Sequence, residues 1–149
     1  MAHGVLVKVS DVGVLLMGES GVGKTACGLE LALRGALWVA DDAVVIQRRG
    51  DYLYGRGHER TEGMIAVRGR GILRAEKLLG TGTLRRETQV DLVIRFLRDS
   101  AAGASKTSMP RSAHEFLGIS LPAQNVADAG DPHRMARQVT DTVKALLTS

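Results

Sequence analysis

Aromatic residues are scarce: the 149 residues contain one Trp, two Tyr and two Phe, 3% of the chain. Stacking platforms for single-stranded nucleic acid are therefore poorly supplied, and the arginines are scattered rather than gathered into a basic run. The net charge of +4 and the pI near 9.6 fit an anionic ligand or an acidic partner face better than a nucleic acid. Cysteine occurs once, at Cys27, which excludes an internal disulfide and suits a reducing, cytoplasmic setting. No apolar run is long enough to cross a bilayer, so no membrane role is expected. The first twelve residues interleave Gly, His, Lys and Asp with apolar residues, unlike the unbroken apolar core of a signal peptide. His3, His58, His114 and His133 stand too far apart for metal-ligand spacing, so a surface or capping role is the default for each and zinc is not suggested. There are no internal repeats. The length fits one domain, residues 1–149, which must then hold the whole site.

Against these absences stands one complete motif. Gly18-Glu19-Ser20-Gly21-Val22-Gly23-Lys24-Thr25 matches the phosphate-binding loop pattern, in which two glycines, a lysine and a hydroxyl residue keep fixed spacing. An apolar run at residues 13–17 enters it as a buried strand, and residues 26–33 leave it with helical composition, the context such a loop requires. Glycines let the chain curl until successive N–H groups and the helix N-terminus form an anion cradle. Lys24 would reach the outer phosphates of a nucleotide and the Thr25 hydroxyl would take a position on Mg²⁺. The plain alternative is a glycine-rich turn that binds nothing.

The flanking pattern is that of an α/β domain. Residues 4–9 and the strand at 13–17 read as a hairpin about a turn at 11–13. A helix over residues 24–34 should stop at Arg34-Gly35. A short apolar strand at 37–40 ends at Asp41-Asp42, and residues 44–47 and 52–54 flank Arg49-Gly50-Asp51 as a second hairpin. Further strands are expected at 64–67, closed by Arg68-Gly69-Arg70-Gly71, and at 89–97, with a short helix at 75–79 between them. Residues 100–108 have the small, polar composition of a surface loop. Asp131 caps a last helix with Pro132 at its first position and Met135, Val139, Val143, Leu146 and Leu147 on one apolar face.

Phosphoryl transfer needs a carboxylate near the metal and one able to accept a hydroxyl proton. Asp41 and Asp42, after an apolar strand, supply that pair, although Asp pairs also end many strands as turn residues. Arg68 and Arg70, separated by a glycine, suit planar contact with phosphate; the plain alternative is an exposed turn with solvated arginines.

The succession HGVLV, GESGVGKT, LELALRG, WVADD, VRGRGI, LLGTGTLR and QVDLVIRFL resembles the catalytic domain of HPr kinase/phosphorylase in order and spacing over residues 1–97. The resemblance implies a P-loop kinase fold related to phosphoenolpyruvate carboxykinase, a central mixed sheet with flanking helices. It implies an ATP- and Mg²⁺-dependent protein serine kinase, with pyrophosphate a possible donor, that phosphorylates the phosphocarrier protein HPr and in many members reverses the reaction by phosphorolysis. Hexameric assembly and a short form lacking the family's N-terminal domain are further implications. Carried onto this chain, Lys24 and Thr25 take the nucleotide and metal positions, His3 lies close to the active site, and Asp42 is base in the kinase direction and acid in reverse. Asp41 would support the metal or its waters, and Arg68 begins the signature segment.

Three departures accompany the resemblance. Ala66 stands where the family has a metal-binding Glu, Ala26 stands where a Glu follows the loop hydroxyl, and the family's Gly-Arg-Asn segment has no clean counterpart, residues 130–134 lying in its region with Arg134 as a candidate substitute. Kinase activity is therefore expected above bifunctionality. The alternatives are a P-loop kinase acting on a small molecule and a nucleotide-binding regulator with weak turnover.

Overall fold

The computed structural model describes residues 1–98, 110–127 and 130–148. The expected loop at 100–108 lies outside them. The chain opens with a hairpin of β1 (Ala2–Val9) and β2 (Val12–Gly18), turned by Ser10 and Asp11, both at positive φ. The loop at 18–25 leads into α1 (Lys24–Leu33), which ends as expected: Gly35 and Ala36 donate to the carbonyls of Ala32 and Leu31, the Schellman arrangement, with Gly35 at φ 101°. Next come β3 (Leu37–Arg49), β4 (Tyr52–Gly57), the ribbon of β5 (Met64–Val67) and β6 (Gly71–Arg74), and the short α2 (Ala75–Leu79). After a 3₁₀ turn the chain forms β7 (Glu87–Gln89), β8 (Leu92–Phe96), β9 (Ser112–Phe116), β10 (Ile119–Val126) and α3 (Pro132–Thr148).

Eight strands form one mixed sheet in the order β7-β4-β3-β1-β2-β8-β10-β9, and β5 and β6 pair by themselves. The strands β2, β8 and β10 run parallel to one another; the other neighbours are antiparallel. One face carries α1 and α3, whose Cys27, Leu31, Met135, Ala136, Val139 and Val143 bury against Val5, Val7, Leu16, Trp38 and Ile94. Burial pushes the Cys27 thiol up to about 12, so it packs there as a small hydrophobe.

The opposite face has a core to which no helix contributes among the described residues: Leu6, Leu15, Val44, Leu53, Val93 and Ala123 are among its buried members. It is covered because the sheet curls. Only Val90 and Asp91 separate β7, at the sheet edge, from β8 in its interior, so one segment pairs first with β4 and then with β2. Val90 N–H donates to Leu53 O at 2.8 Å, and Gly13 N–H donates to the Asp91 carboxylate at 2.8 Å. A Cβ on Gly13 would fall 1.7 Å from Gln89 O, so only glycine permits this closure. On the other side Arg48 donates to Leu117 O at 3.0 Å, joining β3 to the β9–β10 turn across the intervening strands.

Several sequence expectations are revised. The Asp pair does not end a strand but lies within the 13-residue β3. The single strand expected at 89–97 is divided at Val90-Asp91 by the change of partner, and residues 71–74 form a strand rather than the end of a turn. Leu147 is exposed, while Ala136 and Thr142 join Met135, Val139 and Val143 on the buried face of α3. Among the described residues no helix is long and apolar enough to cross a membrane.

Candidate phosphate-binding and catalytic site

The loop at residues 18–25 joins the C-terminal end of β2 to the start of α1, with Gly18, Gly21 and Gly23 at φ 151°, 85° and 104°. Gly23 is the N-cap of α1 and has no side chain to bond the first-turn N–H groups, which leaves them to an anion. A Cβ on Gly18 would come within 2.8 Å of Phe96 O, so the loop also sits tightly against β8. Lys24 folds over the loop, its Nζ donating to Gly18 O at 2.5 Å, and Val22 N–H donates to Glu19 O at 3.2 Å. The loop thus brings together uncapped first-turn N–H groups and a lysine, donors that could hold an anionic group.

The carboxylate expected near the metal stands directly beneath this helix start. Thr25 Oγ1 donates to Asp41 Oδ1 at 3.0 Å, and Ala66 N–H donates to Oδ2 at 2.9 Å. A bulge brings Asp41 there. Along β1, Leu6 pairs with Ala40 but Val7 pairs with Trp38, so Val39 is an extra residue. Strict alternation would put Trp38 and Asp41 on opposite faces; the bulge sends both to the helix-bearing face. Asp41 is 6% exposed, and burial raises its pKa above the ordinary 3.8, against the hydrogen bonds from Ala66, Thr25 and the Asp42 backbone that lower it.

Asp42 follows at φ 68°, exposed, opposite Gly4 in the β1 pairing. His3 is exposed on β1 opposite Ala43. On the other side of Ala43, His58 N–H donates to its carbonyl at 3.3 Å, so His3 and His58 flank one residue of β3 beside the Asp pair. Arg68 lies exposed in the β5–β6 turn, two residues beyond the Ala66 that bonds Asp41. Arg134 is in the first turn of α3, its N–H capped by Asp131 Oδ1 at 3.2 Å. That turn docks on the loop, because Gly130 N–H donates to Val22 O at 2.9 Å and a Cβ on Gly23 would stand 3.4 Å from Met135 Sδ. Thus Thr25 and Ala66 both bond Asp41, Asp42 and His3 are on adjoining strand positions, and Arg134 belongs to the first turn of α3, which docks on the loop.

Sequence reasoning passed over Arg98 and Glu30. Arg98 bonds Glu19 and the Ser20 carbonyl, and Glu30 on α1 accepts from His133 Nδ1 at 2.9 Å and from Arg34 at 3.3 Å, tying α3 to α1. The Glu30–Arg34 pair has the local i,i+4 spacing of a helix ion pair, whereas the contacts of Glu30 with His133 and of Arg98 with the loop depend on which elements become neighbours. Among the described residues no group of three or more His, Cys, Asp or Glu is arranged to hold a metal, and the side chain of this site that could ligate one is Thr25, with Asp41 bonded to it and placed to support the metal or its waters.

Residues 1–146 match the family model described as HPr Serine kinase C-terminal domain. The chain belongs to this family. It is 49% identical over 122 residues to the HPr kinase/phosphorylase of Caldanaerobacter subterraneus subsp. tengcongensis, covering 80% of this chain and 40% of the relative. With the HPr kinase/phosphorylase of Alkaliphilus metalliredigens the identity is 40% over 135 residues, covering 84% and 44%. The chain thus spans about two fifths of the length of these relatives. In fold it is similar to the Hpr(Ser) kinase/phosphatase from Coxiella burnetii, with a TM-score of 0.86 at 24% identity, covering 99% of this chain and 95% of the other. This agrees with the α/β fold, a mixed central sheet with helices, expected from the sequence.

Proposed function

We propose that this domain is an HPr-type protein serine kinase: it binds Mg-ATP at residues 18–25 and phosphorylates a seryl hydroxyl of an HPr-type phosphocarrier protein. The observation that carries the reading is the chain of contacts from Thr25 through Asp41 to Ala66, which ties the helix start of a phosphate loop to a buried carboxylate. Mg-ATP supplies the phosphoryl group and the metal charge that neutralises it.

The loop N–H groups and Lys24 hold and orient the phosphates. Asp41 accepts a hydrogen bond from the Thr25 hydroxyl, so that oxygen would keep its lone pairs turned outward for the metal. Asp42, exposed on the next residue, accepts the proton of the serine hydroxyl as the oxygen attacks, and returns it in the reverse direction. His3 and Arg68 complete the polar rim on the β1 and β5–β6 sides, and Arg134 offers a cation from α3. Pyrophosphate as donor, phosphorolysis, a hexameric assembly and a cytoplasmic setting belong to the same proposal by resemblance. A second reading, a nucleotide-binding regulator with weak turnover, is favoured by the exposed methyl of Ala66 beside Asp41, where a second carboxylate would strengthen metal binding.

The test is incubation with HPr and labelled ATP or pyrophosphate, followed by mapping of the labelled residue. Label on one HPr serine, lost when that serine is replaced, supports the kinase. Tight nucleotide binding without label on HPr supports the regulator, and label on a small acceptor alone supports a small-molecule kinase.

A further inference from the structure

Arg98 lies two residues beyond β8 and bends back over the phosphate loop. Its Nε donates to Glu19 Oε2 at 2.9 Å and its Nη2 donates to Ser20 O at 2.6 Å. A Cβ on Gly21 would stand 3.2 Å from Nη2, so the guanidinium covers residues 19–21. Topology puts it there: β2 and β8 are parallel neighbours with Gly18 opposite Phe96, so both strands end side by side. Leu97 and Arg98 therefore leave β8 beside the start of the phosphate loop, at the shared C-terminal end of the two parallel strands.

The geometry points to Arg98 as a switchable phosphate clamp, which exchanges Glu19 for the terminal phosphate of the nucleotide and follows that group through transfer. This rests on the reading of residues 18–25 as a nucleotide site. In such loops the backbone N–H groups cradle the inner phosphates and the lysine reaches outward, so the terminal phosphate has the fewest loop contacts. A cation entering from the next strand end, over residues 19–21, supplies one. The Glu19 pairing is suited to exchange, because the two side chains are 55% and 77% exposed and water screens their attraction. A phosphate also offers the guanidinium fork two oxygens, where Glu19 accepts one bond and a backbone carbonyl the other. The incoming phosphate charge repels Glu19 at the same moment. Only hydrogen bonds and ion pairs change partners; the covalent step stays that of the kinase.

The test compares ATP and ADP binding to the full chain, by competition with a fluorescent nucleotide, for wild type, Arg98→Ala, Arg98→Lys and Glu19→Gln. Circular dichroism and thermal midpoints check the fold. Loss of Arg98 should weaken ATP about tenfold and leave ADP within about twofold, lysine should restore part of the loss, and Glu19→Gln should tighten ATP by about two- to fivefold. Turnover with HPr should fall about 10³-fold in Arg98→Ala, the lower end of the effect of an arginine facing a transferring phosphoryl group. An unchanged ATP-to-ADP ratio in a folded Arg98→Ala protein overturns the clamp while leaving the nucleotide site standing. Wild-type protein that binds neither nucleotide overturns both.

Discussion

Thr25 and Asp41 share a 3.0 Å hydrogen bond across 16 positions of sequence, and the same carboxylate receives Ala66 N–H on its other oxygen. One side chain thereby joins the start of α1, the middle of β3 and the β5–β6 ribbon. Asp41→Ala would leave a hydroxyl and an amide N–H without their acceptor beside a buried side-chain position, each bond being part-buried. A loss of about 2–4 kcal/mol is expected from two such groups, read as the change in urea-unfolding free energy. Asp41→Asn keeps an acceptor for one of them and removes a desolvated charge, so its cost should stay below about 1 kcal/mol.

The charge of Asp41 carries a pH signature. Burial raises its pKa in the folded protein above the ordinary 3.8, so the folded state holds this proton more firmly than the unfolded chain. Stability from this group is therefore greatest below 3.8 and falls as pH rises through the raised folded value. Asp91, also raised chiefly by burial, contributes with the same sign. Unfolding free energy measured across the acidic range should lose part of this downward slope in Asp41→Asn and more of it when Asp91→Asn is added. An identical slope in wild type and double mutant would show that neither group titrates as described.

Lys24→Ala removes a cation that bonds the Gly18 carbonyl at 2.5 Å within the loop, not a core contact. The fold should lose only about 1 kcal/mol, the net value of one hydrogen bond, whereas transfer should fall about 10²- to 10³-fold. Thermal unfolding and labelled-phosphate transfer separate the two effects. Near wild-type transfer in a folded variant is the result that would remove residues 18–25 from the mechanism.

Asp42→Asn is a clean test of the proton acceptor, because Asn tolerates the positive φ of 68° as well as Asp does. The amide keeps the shape and cannot take the serine proton. Turnover should drop by about 10² or more with nucleotide affinity nearly unchanged. Single-turnover transfer at saturating ATP measures this, and an unchanged rate would assign the base elsewhere, His3 being the neighbour on β1 to try next.

Local signals made much of this legible in advance. The glycine spacing gave the tight strand-to-helix loop at residues 18–25, Arg34-Gly35 gave the end of α1, and Asp131-Pro132 gave the start of α3, because each is a rule about neighbours in sequence. Elements defined by distant partners were not. Val39 bulges because of its pairing with β1, and that alone places Asp41 under Thr25 within a continuous β3 instead of in a turn. The break at Val90-Asp91 arises where the segment leaves β4 for β2, which no pattern of apolar residues announces. Arg98 likewise gained its place from the parallel pairing of β2 with β8.

Ala66 is where sequence and geometry meet most directly. Its N–H bonds Asp41 while its methyl group is exposed, so the side chain has room and does not enter the core. Ala66→Glu would set a carboxylate on the strand position that already touches the Asp41 oxygen, adding an acceptor where the proposed shell offers Thr25, phosphate and water. Because the position is exposed, the cost of a charge there should be small, and unfolding free energy should change by less than about 0.5 kcal/mol. The Mg²⁺ concentration giving half-maximal nucleotide binding should fall severalfold, about 1 kcal/mol or less if the new carboxylate is also partly repelled by Asp41 and Asp42. Ala66→Gln serves as the control, with the same length and no charge. If the glutamate variant folds normally and requires as much Mg²⁺ as the glutamine variant, residue 66 takes no part in the metal shell. A carboxylate from the preceding segment, Glu59 or Glu62, would then be the next to replace, and Glu62 already faces a cation, 3.6 Å from Arg86.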